Sequence, residues 1–175
     1  MSPALQSVKN SERLRVGVVL ERRRIGHPWQ EYAWHAAGVV PGAPDIAAPS
    51  LLHQGEGWAR HHMATLDVEL FPRETEGYRF NLSQAQPAVY VLWRHAGEDI
   101  EQPPEVFHVT VCPYEAQDYL DGGDVVVEAV ALPDLVAHWM GTYIARHHVD
   151  EPFEKRRRKG RDAPGEAVEE EEELG

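Results

Sequence analysis

Only one cysteine, Cys112, stands in this chain of 175 residues, so no disulfide can form within it. Long apolar runs are missing too. The longest strictly apolar stretches are a few residues, against the roughly 20 that a membrane-spanning helix needs, and no membrane association is expected. Positive charge is scarce: 17 Lys and Arg face 29 Asp and Glu, a formal net charge of −12. That balance argues against a general nucleic-acid coat. No phosphate loop is legible. Gly55-Glu56-Gly57 lacks a third glycine and a strand-to-helix context, and Gly122-Gly123 has aspartate neighbours that would repel a phosphate. The first 12 residues contain no apolar stretch of the secretory kind, and Arg22-Arg23-Arg24 leads into Ile25-Gly26-His27-Pro28, which excludes a twin-arginine export reading. With one free thiol and no export signal, the expected location is the cytoplasm.

What is present reads as one β-rich domain of ordinary size. Leu14, Val16, Val18 and Leu20 alternate as in a half-buried strand, His27-Pro28 marks a turn, and Trp29 to Val40 reads as a second strand. Residues 41–57, rich in Pro, Ala and Gly, read as a loop. Further strands are expected at 65–71, at Tyr78-Phe80-Leu82, at Val89-Val91-Trp93, at Val106–Cys112 and at Val125–Val130. Pro113–Leu120, with Pro first and Gly122-Gly123 beyond, reads as a short helix. Pro133-Asp134 opens an amphipathic helix whose apolar stripe is Leu135, Val136, Trp139, Met140 and Tyr143, suited to cover an end or face of the sheet. The expected fold is mainly β (α+β): an antiparallel barrel or sandwich of about six to seven strands, a short helix and a C-terminal amphipathic helix.

Residues 1–12 are expected to be a flexible N-terminus, 13–150 a single globular domain, and 151–175 a disordered tail. The tail is basic and then acidic: Lys155–Arg161 holds six bases and Asp162–Glu173 seven acids, with no apolar face in either half. Pro152-Phe153 precedes them as the one apolar hook, suited to dock on the domain or a partner. The net charge therefore divides into −9 on residues 1–150 and −3 on the tail.

Metal and nucleophile chemistry find little support. The ten histidines include the pairs His61-His62 and His147-His148, but neighbours on a strand point to opposite faces, and no His-x-x-x-His or second cysteine completes a ligand set. Cys112 has no base near it in sequence and reads as a buried thiol. Glu115, Asp118 and Asp121 share a face of the short helix, as an acid dyad or, more commonly, a solvated face. No catalytic residue, metal ligand or cofactor is assigned. The most unusual stretch is Arg22 to Trp34, which sets Arg22, Arg23, Arg24, His27, Trp29 and Trp34 around the first hairpin. Arg and Trp dominate binding hot spots, and the arginines make a positive patch on an acidic protein. The candidate partner- or ligand-binding set is these six residues with Tyr114, Glu115, Asp118 and Phe153.

The same residues carry a resemblance. Val16–Arg23, His27-Pro28-Trp29, Val40–Pro44, the block Tyr114-Glu115-Ala116-Gln117-Asp118-Tyr119-Leu120-Asp121, and Val149-Asp150-Glu151-Pro152-Phe153 with the basic run after it resemble, in this order, a bacterial family of domains of unknown function. Genes of that family typically lie beside those for molybdenum formate dehydrogenases and their maturation factors. The resemblance implies a non-catalytic accessory or assembly role in formate dehydrogenase maturation, with a dehydrogenase subunit or another maturation factor as the partner. Some members carry a label suggesting molybdopterin guanine dinucleotide biosynthesis, which keeps a pterin- or nucleotide-binding protein or enzyme as the alternative. The sequence lacks the glycine loop and parallel α/β pattern that would support that label.

Overall fold

The computed structural model describes residues 8–149. Most of the expected flexible N-terminus and the expected tail, Phe153 included, lie outside the described residues. Seven strands form two antiparallel sheets. The larger sheet holds β1 (Glu12–His27), β2 (Gln30–Pro41), β3 (Ser50–Gly55) and β4 (Trp58–Leu70) in the order β2-β1-β4-β3. The smaller holds β5 (Ala88–Arg94), β6 (Glu105–Thr110) and β7 (Val126–Ala131) in the order β6-β5-β7. Three helices complete the fold: α1 (Thr75–Ser83), α2 (Pro113–Leu120) and α3 (Asp134–His147). The architecture is the expected mainly-β one, realised as two sheets with no closed barrel.

Two expectations are corrected. Tyr78-Phe80-Leu82 is not a strand. It lies in α1, where Tyr78 and Asn81, three apart, are buried while Phe80 is exposed. Pro72 in the preceding 3-10 turn and the acids Glu74 and Glu76 are helix-start signals that outweigh a chance period of two. Residues 41–57 are not all loop, since β3 lies within them. Its six residues are all exposed, so no apolar alternation betrays it, and backbone pairing with β4 holds it in place. The loop that remains, 42–49, crosses the outer face of the larger sheet. Gly42 N–H donates to the Arg15 carbonyl at 2.9 Å, Arg15 pairs with Asp45, and the Thr65 hydroxyl donates to the Pro44 carbonyl at 2.6 Å. Gly17 permits this passage, because a Cβ there would come within 2.7 Å of Ala43 and 2.9 Å of His62. Val16 to Leu20 is therefore buried on both faces, where the sequence suggests one.

The core lies between the sheets and under the helices. Val16, Val18, Leu20, Trp34, Val68 and Leu70 of the larger sheet meet Val89, Val91, Trp93, Val109 and Val130 of the smaller. Val136, Met140 and Tyr143 of α3 close it, whereas Leu135, expected on the same stripe, is exposed. Polar groups buried in this body are paired. The Asn81 amide donates to the Ala88 and Val111 carbonyls at 2.8 and 2.9 Å and accepts from Ala88 N–H at 2.9 Å, tying α1 to the start of β5 and the adjacent end of β6. The Tyr78 hydroxyl accepts from Phe71 N–H and donates to Glu74, which burial pushes above its ordinary value. The Trp139 indole donates to Glu12, and the Tyr143 hydroxyl to the Asn10 carbonyl, which fixes α3 at the start of β1. Burial pushes Tyr143 up to about 12.

Candidate functional site

β1, of 16 residues, would extend about 50 Å at the usual rise, while the longest strand of the smaller sheet, 7 residues, reaches about 23 Å. The larger sheet therefore outruns the smaller. α3 takes up one end of β1; the β1–β2 hairpin is the other. There the alternation of the strand sorts the residues. Leu20, Arg22 and Arg24 continue the inner face with Ala36, Trp34 and Tyr32 beside them on β2 and His61 and Ala59 on β4. Glu21 and Arg23 lie on the outer face with Arg60 and Trp58.

The three arginines are thus not one patch, nor are they at the turn. They lie within β1 and divide between its two faces. Arg23 and Arg60 each hold Glu21 at 2.8 Å, and these hydrogen bonds, Arg60's first, keep its carboxyl below its ordinary value. Arg22 and Arg24 lie over the Tyr32 ring at 4.4 and 5.7 Å, and Arg24 donates to its hydroxyl at 3.3 Å. Trp34, 5% exposed, is a core residue whose ring rests on His61 at 5.5 Å and whose indole N–H donates to the Glu101 carbonyl at 3.2 Å. His27 shapes the turn by accepting the Trp29 N–H at 3.2 Å on Nδ1, and Trp29 is left 88% exposed at the tip.

Two nitrogens at this inner face are buried without a hydrogen-bond partner among the described residues: Arg22 Nε and His61 Nδ1. Such groups cost stability, by about 1–3 kcal/mol each when wholly desolvated. Burial first, and then the Arg22 charge, holds His61 below the ordinary histidine value. In the sequence His61 stands out only as half of a histidine pair. Its position on the inner face follows from the β4 register.

The two edges of the larger sheet are treated differently. Along β2, Glu101 accepts from Glu31 N–H at 2.5 Å and Tyr32 N–H at 3.4 Å, while Glu128 accepts from Ala36 N–H at 3.1 Å, meets His35 at 3.3 Å and receives the Trp93 indole N–H at 2.8 Å. Carboxylates thus cap this edge and tie it to the smaller sheet. The opposite edge, β3, carries no Asp, Glu, Lys or Arg and exposes Leu51 and Leu52.

The remaining candidates lie by the helices. Tyr114 stacks on Phe80 at 5.9 Å, both exposed. Burial alone would raise Glu115, but hydrogen bonds from His108 at 2.6 Å and Thr110 at 2.9 Å outweigh it and hold the carboxyl below its ordinary value. Asp118 is exposed on α2. Glu115 thus locks α2 to β6 and does not pair with Asp118 as an acid dyad. Cys112 is 3% exposed, and burial raises its thiol above the ordinary value. Among the described residues no group of three or more His, Cys, Asp or Glu side chains is placed to hold a metal ion, and no helix is long and apolar enough to cross a membrane. The structure thus separates the candidate set into a hairpin group and a helical group.

Comparison with curated proteins and with solved structures gives no match. A family model described as protein of unknown function (DUF3305) matches residues 15–157, which takes in both sheets and all three helices. The matched stretch holds both the hairpin group and the helical group, and the chain belongs to that family.

Proposed function

We propose that this protein is a non-catalytic accessory factor of formate dehydrogenase maturation, which binds a dehydrogenase subunit or another maturation factor through the projecting β1–β2 hairpin. The observation that carries this reading is the inner face beyond Trp34. There Arg22 and Arg24 flank Tyr32, Arg22 Nε and His61 Nδ1 are buried without partners, and Trp29 stands fully out at the tip. A tryptophan left in water beside the exposed Arg24 gains by docking, because a partner's apolar groups would cover the indole and its acceptors would meet the guanidinium N–H groups. The Arg–Tyr–Trp composition is that of binding hot spots. The formate dehydrogenase context comes from the resemblance in sequence and is part of the proposal.

The test is a pull-down with the full chain as bait, from cells making formate dehydrogenase. A dehydrogenase subunit or maturation factor should be retained, and should be lost from the bait carrying Arg22→Ala, Arg23→Ala and Trp29→Ala. Recovery of neither class by the unaltered bait would overturn the role; an unchanged partner set with the triple variant would overturn the hairpin assignment. The second reading, a molybdenum-cofactor binder with arginine contacts to phosphate, is favoured only by Arg22 and Arg24 sharing one face. Native mass spectrometry of protein from its own host showing bound pterin or nucleotide would shift the choice to it.

A further inference from the structure

The helical end holds a groove of about 930 Å³ whose wall includes Arg73, Arg79, Phe80, Tyr114, His148 and Val149. It is unlike the hairpin in one respect: the chain itself runs into it. α3 ends because His148 is extended (φ −75°, ψ 125°), with its N–H still donating to the Ile144 carbonyl at 2.9 Å. The His148 ring is fixed at both nitrogens. Arg79 has only donors, so His148 Nε2 accepts from it at 2.7 Å; Nδ1–H then donates to the Thr75 hydroxyl at 2.8 Å, and that hydroxyl donates to the Pro72 carbonyl at 3.1 Å. This relay clamps the last turn of α3 to the first turn of α1 and delivers Val149, 77% exposed, along the groove wall.

The next residues are Asp150-Glu151-Pro152-Phe153-Glu154, three acids around one aromatic. The groove offers the complement. Arg73 and Arg79 supply positive charge against a single acid, Glu76, and the exposed Phe80–Tyr114 stack supplies an apolar shelf. Proline at 152 lowers the entropy lost on fixing an extended segment. Tethering to α3 makes the event intramolecular, so a modest contact suffices.

We propose that the groove between α1, α2 and the end of α3 is the seat of the chain's own segment Asp150–Glu154, with Phe153 on the Phe80–Tyr114 shelf and the acids toward Arg73 and Arg79. Docking there gives Tyr114 and Phe153, which share no obvious link in sequence, one role. It also anchors the root of the basic run that follows. The inference is independent of the hairpin reading.

The experiment uses the full chain with a nitroxide attached at Lys155→Cys. Cys112, buried and with its thiol raised, is protected from the label. Amide signals of Arg79, Ser83 and Tyr114 should lose half or more of their intensity, and Phe153→Ala or Arg79→Glu should restore them. Full intensity in the labelled parent, or attenuation that persists in Phe153→Ala, would overturn the proposal. Attenuation found only when labelled chain is mixed with a separate isotope-labelled chain would place a second copy in the groove, which also overturns it.

Discussion

The body of the protein and the projecting end of its larger sheet are built from the same strands but obey different rules. In the body, buried polar groups are matched: Asn81, Tyr78 and Glu115 each have two or more partners. At the projecting end, Arg22 Nε and His61 Nδ1 are buried and unmatched, and a tryptophan is left in water. The unmatched nitrogens set this end apart from the body, and the exposed Trp29 and Arg24 are what it offers to a partner. The contrast lies along one strand, β1, whose start is held by α3 and whose end pairs with β2 and β4.

The largest effect is expected in the body. Asn81→Leu strands the Ala88 N–H and two carbonyls in the core and should cost about 3 kcal/mol, read as a lower midpoint in urea unfolding. Arg22→Met is the matching change at the projecting end. With no hydrogen bond to lose at Nε, stability should hold or rise by up to about 1 kcal/mol while partner capture falls. A loss of stability as large as that of Asn81→Leu would erase the distinction.

Protonation sharpens the comparison. His61 is held below the ordinary histidine value, so the unfolded chain takes up its proton first. The stability this confers is whole above about pH 6.5 and is lost as the pH falls through that value toward the folded one. His61→Phe should flatten thermal stability in that range, leaving the lower-pH loss. That second loss belongs to Glu21 and Glu115, both held below their ordinary values, whose contributions are present above about pH 4.3 and lost as the pH drops further. A melting profile in which His61→Phe keeps the parent slope between pH 7 and pH 5 would mean another group titrates there.

The smallest effect is expected at the tip. Trp29→Ala should move stability by no more than about 0.5 kcal/mol, since the side chain is 88% exposed.

The sequence made the body legible where its period matched its burial. α2 is found at its expected bounds, Pro113–Leu120, because proline at the start and paired glycines beyond the end are local signals. Alternating apolar residues mark β1 and β4 over only part of their lengths, since their hairpin ends carry arginine and histidine where a strand usually carries valine. β3 was hidden because all its side chains are exposed, and α1 because Tyr78, Phe80 and Leu82 mimic a strand. For the site, residue type was enough to single out Arg22, Arg24 and Trp29. The division of Arg23 from its neighbours, and the arrival of His61, depend on cross-strand register, which no local pattern encodes.

The central claim is that the projecting end is a docking surface, and affinity tests it most directly. The dissociation constant for the captured dehydrogenase subunit or maturation factor should be measured by titration calorimetry with the parent chain and with Trp29→Ala combined with Arg22→Met. Loss of two hot-spot side chains should weaken binding by about 30-fold or more, with the melting temperature no lower than the parent's. Equal affinity for both proteins, at equal stability, would contradict it.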